Sequence, residues 1–176
     1  NIIDGLAAYG DSDWDRYGLE LIEIECDGCV DAGWFEGSDG VGHFGVGENW
    51  EPFRKIDDFF GLVDSGVGGL VDVAMMKFCF VDFDDGTGDP TEIFEAYRDA
   101  MRDLETSYPD VVFVYWTAPI MTDGSARRDE FNALVRDYCR STGRILFDIA
   151  AIESHDSDGN PLTQGGYEAM VPDYTD

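Results

Sequence analysis

From residue 52 onward, amphipathic helical stretches alternate with short apolar runs, and this alternation constrains the fold more than any single motif in the chain. Behind Pro52, the residues Phe53, Ile56, Phe59, Phe60 and Val63 recur at helical spacing. Residues 71–80 (VDVAMMKFCF) form a nearly continuous apolar run, as expected of a strand covered on both faces. Asp89-Pro90-Thr91-Glu92 reads as a helix start, with an N-cap, a proline in the first helical position and a capping-box Glu. The helix it opens carries Ile93, Phe94, Tyr97, Met101 and Leu104. Residues 111–118 (VVFVYWTA) are the next buried strand, and Ser125 caps a helix carrying Phe131, Leu134, Val135, Tyr138 and Cys139, which Gly143 ends. Residues 144–152 read as a further strand leading into a turn.

Upstream, residues 19–25 are mostly alternating and β-prone, and a long Gly-rich loop is expected over 27–49. The tail from Glu153 is polar, with a tight turn at residues 156–161. Strands that alternate with helices pair in parallel through right-handed crossovers. The expectation is a single α/β domain over residues 1–176, a three-layer α/β/α sandwich with a mostly parallel sheet.

Thirty-eight Asp and Glu residues face eleven Lys and Arg, a formal net charge of -27 spread along the whole chain. Self-repulsion on this scale costs stability at low ionic strength and is relieved by screening, so the surface suits a high-salt environment. A phosphate backbone needs a basic surface, so nucleic acid and anionic membrane are not expected partners. Cys79 and Cys139 fall in apolar stretches and read as small core residues. Cys26-Asp27-Gly28-Cys29 is a lone C-x-x-C, without the second pair or the histidines that zinc requires. The acidic stretches 82–89 and 156–160 offer oxygen ligands, but neither has the spacing of an EF-hand loop. No metal and no cofactor are therefore expected.

In an open parallel sheet, ligands bind beyond the carboxyl ends of the strands, which directs attention to residues 26–49, 81–89, 117–125 and 153–176. Several motifs in and around these loops recur in a recognisable order. They are Gly45-Val46-Gly47-Glu48-Asn49-Trp50-Glu51-Pro52, Lys55-Ile56-x-x-Phe59, Asp72 to Asp82, Tyr108-Pro109 and Thr117-Ala118-Pro119. Arg128-x-x-x-Asn132-x-x-x-Arg136 and Phe147-Asp148-x-Ala150-x-x-Glu153-Ser154 complete the series, which resembles a branch of the SGNH (GDSL-like) hydrolases over nearly the whole chain.

The resemblance implies a serine esterase acting on ester or carbohydrate O-acyl groups through an acyl-enzyme. In such a family a serine follows the first strand, a glycine follows the second, an asparagine follows the third, and a C-terminal Asp-x-x-His supplies base and orienting carboxylate. Gly45 or Gly47 fits the glycine position, with plain loop flexibility as the other reading. Asn49 is the nearest amide, able to donate to an oxyanion or to serve a helix N-terminus. The third-strand motif falls on Cys79-Phe80-Val81-Asp82 and puts Val81 where the amide belongs. Lys77, within the expected buried strand, stands as a substitute donor or as a partner for an acid.

Gly10-Asp11-Ser12 matches the literal G-D-S, but residues 2–9 read better as a helix than as a strand, so Ser12 is either the nucleophile or a turn residue. Asp176 stands where Asp-x-x-His would begin, and His43 and His155 read as solvated loop histidines. On this reading the chain is a fragment lacking the family's first strand and its C-terminal histidine. The expected partner is a small-molecule or glycan ester. The alternative is a non-catalytic module on the same fold, binding a glycan or peptide through Trp34, His43 and Trp50. A flavodoxin-like cofactor binder is disfavoured, because no Gly-rich phosphate loop joins a strand to a helix.

Overall fold

The structure, a computed structural model, describes residues 20–24 and 40–171. The chain divides after Gly45 into two compact units. In the first, β1 (Glu20–Ile24) pairs in parallel with β2 (Gly40–Phe44), from Glu20 opposite Gly40 to Ile24 opposite Phe44. β1 is the expected strand. β2 corrects the expectation of an unbroken loop over 27–49: Gly40 and Gly42 carry no side chain to show a strand's alternation, and pairing with β1 fixes the backbone.

The second unit runs through α1 (Pro52–Asp64), β3 (Val73–Met75), a 3-10 turn (Phe80–Phe83), α2 (Pro90–Ser107), β4 (Val112–Trp116), α3 (Ala126–Thr142), β5 (Ile145–Phe147), α4 (Ile149–Ser154) and the hairpin β6 (Thr163–Gln164) and β7 (Tyr167–Glu168). β3, β4 and β5 form a parallel sheet in chain order, with Val73 opposite Val112 and Trp116 opposite Phe147. A mostly parallel sheet flanked by helices is the α/β class read from the sequence.

Local chemistry explains the helix boundaries. Asp89 accepts a hydrogen bond from the Thr91 N–H at 2.9 Å, and Ser125 caps α3 through the Arg128 N–H. Gly143 closes α3 in the left-handed region at φ 72°, donating to the Cys139 carbonyl. The core lies between α1, α2, α3 and one face of the sheet. At its centre Phe78 meets Phe83, Tyr97 and Phe131 edge-on, at ring separations of 5.6, 5.3 and 5.3 Å.

Three strand expectations are corrected. The run 71–80 is strand only over Val73–Met75, because the buried Asp82 carboxylate draws the Cys79 N–H to 2.7 Å and turns the chain away from the sheet. Lys77 lies beyond the strand and is exposed rather than buried in it. Nor do the described residues cover both faces of the strand: on the side away from their helices, Val73, Met75, Val112, Ile145 and Phe147 are between 36% and 54% exposed. Residues 149–154 are helical, not extended, because the Asp148 side chain accepts from the Ala151 N–H and the Thr117 hydroxyl from the Ala150 N–H. The tail carries the hairpin β6–β7, whose Gly165-Gly166 turn has φ 64° and 91°, the conformation a two-residue type I′ loop requires.

Candidate functional site

Asp82 is fully buried in the turn that follows β3, and a carboxylate in that position must be met by donors. Its Oδ1 accepts from the Trp50 N–H at 3.0 Å and from Lys55 Nζ at 2.9 Å. Its Oδ2 accepts from Lys55 Nζ at 2.7 Å and from the Cys79 N–H at 2.7 Å. Lys55, 6% exposed, projects from the second turn of α1. Residues 47–55 and the distant turn 79–82 are thus tied together at the carboxyl end of β3, where an open parallel sheet places its ligand.

Gly47 and Asn49 are part of this cluster. Gly47 has φ +54°, and a Cβ there would lie 2.7 Å from Lys55 Cγ and 2.9 Å from the Lys55 backbone nitrogen. Its identity is set by the close approach of α1. Its N–H donates to Asp58 Oδ2 at 2.9 Å, so the donor expected to be accessible is already used. Asn49 is exposed, and its Oδ1 lies 3.5 Å from Lys55 Nζ, at the outer limit of a hydrogen bond. An ammonium only donates, so this placement turns the amide NH2 away from Lys55 and toward solvent. Gly45 is exposed, and a Cβ on it would meet nothing within 4 Å.

The motif residues of α3 and β5 build the neighbouring strand end. Asn132, fully buried, accepts from the Ala118 N–H at 2.7 Å and donates back to the Ala118 carbonyl at 3.1 Å. Arg128, one turn earlier, donates to the Asp123 carbonyl at 2.7 Å. Arg136, one turn later, grips Asp148 through Nε to Oδ2 at 2.7 Å and Nη2 to Oδ1 at 2.8 Å, and reaches Glu168 through Nη1 at 2.9 Å. The Thr117 hydroxyl donates to Asp148 Oδ1 at 3.1 Å. Burial works to raise the Asp148 carboxyl, but the Arg136 fork outweighs it and holds the group below its ordinary range. The Arg-Asn-Arg series therefore fixes the loops at the ends of β4 and β5 rather than presenting groups to a ligand.

Glu153 accepts from the Ile120 N–H at 2.8 Å, and burial pushes its carboxyl up, opposed by that bond and by the charge of Lys77. Lys77 thus faces an acid and is not gathered with Asn49 and Asp82. His155 Nδ1 lies 2.7 Å from the Ala151 carbonyl, so that nitrogen carries the proton. Ser154 is 3.1 Å from the same nitrogen but buried, which makes it part of the turn and not a nucleophile. Ser12, Cys26, Cys29, Trp34, Asp176 and the side chain of His43 lie outside the described residues. Cys139 is buried, and burial pushes its thiol up to about 11. Among the described residues no group of His, Cys, Asp and Glu is arranged to hold a metal ion. No described helix is long and apolar enough to cross a membrane.

Lys55 is the site residue that sequence reasoning missed. The available signal was its rarity, as one of two lysines on a strongly acidic chain.

No protein family matches the chain, and no curated protein matches it. Among solved structures, it is similar to a protein of the G-D-S-L lipolytic family from Desulfitobacterium hafniense DCB-2, with 11% identity over 75% of this chain and 71% of that one, and a TM-score of 0.42.

Proposed function

We propose that the chain carries the scaffold of an SGNH-type serine esterase, acting on ester or carbohydrate O-acyl groups through an acyl-enzyme. The observation that supports this reading is the Asn49 amide, exposed at the carboxyl end of β3 with its NH2 turned outward by Lys55. A serine with a base within hydrogen-bond reach attacks the acyl carbonyl, and a preplaced amide takes up the charge that develops on oxygen. Ser12 is the chain's own nucleophile candidate, and Asp176 its candidate for the orienting carboxylate or the residue just before it.

The test is hydrolysis of p-nitrophenyl acetate by the chain, extended by whatever sequence its gene encodes on either side. Hydrolysis that falls about a hundredfold or more in Asn49→Ala is the expected result. Loss in Ser12→Ala would assign the nucleophile to Ser12, whereas full activity in that variant would assign it upstream. No hydrolysis by the extended protein would remove the esterase reading.

A non-catalytic module binding a glycan or peptide is the second reading. Two observations favour it: Val81 occupies the expected amide position, and the Gly47 N–H is committed to Asp58.

A further inference from the structure

Trp50 is the one residue other than glycine with a positive φ among those described, at 66°. Bulky aromatic residues avoid that region. Here the conformation is held at both ends, since the Trp50 N–H donates to Asp82 at 3.0 Å and the indole Nε1–H donates to Asp84 Oδ2 at 3.1 Å. Asp84 is fixed in turn. Its N–H donates to the Val81 carbonyl, and its own carbonyl accepts from the Thr87 N–H and hydroxyl. Arg127, in the first turn of α3, clamps the same loop through the carbonyls of Phe83 and Gly88. Elements from three parts of the chain hold one indole in place, yet Trp50 is 57% exposed.

A single exposed aromatic residue needs no explanation, but a strained one anchored at both ends does. The indole has one donor and has already used it, so it offers a ring face. At its edge stands the second oxygen of Asp84, which makes no hydrogen bond among the described residues and can accept one. The preceding residue, Asn49, turns amide donors to solvent. A flat face, an acceptor and a donor together match a pyranose ring, whose C–H face is apolar and whose hydroxyls both donate and accept. A cation would be drawn to the ring and the carboxylate but would leave the amide donor unused. We propose that Trp50, Asp84 and Asn49 form a saccharide subsite, with a sugar ring stacked on the indole and its hydroxyls held by the carboxylate and the amide. The inference rests on the reading that these loops face the ligand, and it requires no hydrolysis.

Calorimetric titration of the chain with cellohexaose, xylohexaose, tetra-N-acetylchitotetraose and tetramethylammonium, each alone, tests it. Saturable binding of at least one saccharide is expected, weakened about tenfold or more in Trp50→Gly, a loss of the size that aromatic stacking contributes. Glycine suits the left-handed backbone, so this variant keeps the fold. Asp84→Asn keeps an oxygen for the indole but presents an NH2 donor to the sugar in place of the second acceptor, so saccharide binding is expected to weaken about threefold or more. Four results would overturn the proposal: no saturable saccharide binding, binding unchanged in Trp50→Gly, binding unchanged in Asp84→Asn, or a response to tetramethylammonium alone. A chain that binds saccharide without hydrolysing esters retains this subsite and loses the esterase reading; an active esterase that binds none does the reverse.

Discussion

Lys55 reaches Asp82 across 27 positions of sequence and places its Nζ 2.9 and 2.7 Å from the two carboxylate oxygens. Both side chains are out of solvent, and the acid also holds two backbone N–H groups from separate loops. Removing one member of such a pair leaves an uncompensated buried charge, so Lys55→Met is expected to cost about 3–5 kcal/mol. Asp82→Asn alone leaves the ammonium unpaired and is expected to cost a similar amount. The double variant removes both charges but keeps one acceptor oxygen, enough for either the Cys79 or the Trp50 N–H and not both, so it should recover part of the loss. Urea unfolding of the four proteins at one salt concentration measures the coupling; strictly additive losses would show that the two residues do not act as a unit.

Stability should respond to acid through two opposed sets of carboxyls. Asp148 is held below its ordinary value, so the stability it contributes is fully present above about pH 4 and is lost as pH falls through its folded value. Asp129 and Glu153 are raised, chiefly by burial, so the native state gains from them as pH falls from their folded values toward the ordinary carboxylate range. The expected profile is flat or slightly rising on mild acidification and falls steeply below about pH 4. Arg136→Met should lower stability at pH 7 and shrink the steep acid limb, so its deficit against the parent narrows below about pH 4. Glu153→Gln should remove the mild-acid gain and leave the steep limb unchanged. Urea midpoints from pH 7 to pH 3 provide the comparison, and an Arg136→Met deficit that is constant with pH would refute the Asp148 assignment.

The parts of this fold legible in the sequence are those decided locally. The caps at Asp89, Ser125 and Gly143 were readable because each uses donors or a backbone angle within four residues of itself. The end of β3 was not, because it is set by Lys55 acting on Asp82 from another helix. β2 was hidden by its glycines, and α4 by an apolar run whose helical start depends on Asp148 and Thr117. Order along the chain pointed to Gly47, Asn49 and Asp82, which the structure gathers. It could not show that Gly47 is there for steric reasons, or that Trp50 carries a left-handed backbone, since both follow from contacts made only on folding.

Two glycines separate backbone strain from crowding. Gly143 has φ +72°, and a Cβ added there would meet nothing within 4 Å, so Gly143→Ala carries the cost of the left-handed conformation alone, about 1 kcal/mol. Gly47 has φ +54° and would bring a Cβ to 2.9 Å from the Lys55 backbone nitrogen, which cannot swing aside. Gly47→Ala should therefore cost distinctly more, about 2–4 kcal/mol, with part of it appearing as a weakened Lys55–Asp82 pair. If the two variants unfold at equal urea midpoints, α1 does not press on residue 47 as described.

The net charge of -27 leads to the last expectation. Salt weakens exposed pairs such as Arg140–Asp137 and Arg54–Glu51, which contribute little in any case, and acts little on Lys55–Asp82, which is shielded from solvent. Repulsion among the excess acids is spread over the whole surface and is also screened, so its relief should outweigh the loss of a few exposed pairs. The melting temperature should rise between about 0.05 M and about 1 M sodium chloride, the interval over which the screening length drops from over 10 Å to about 3 Å. Because screening saturates there, most of the gain should appear before about 1 M. A rise that continues in proportion to concentration, and is larger in sodium sulfate at equal ionic strength, would instead indicate exclusion of salt from apolar surface. Equal melting temperatures at low and molar salt would show that the acids are too widely spaced for their repulsion to matter.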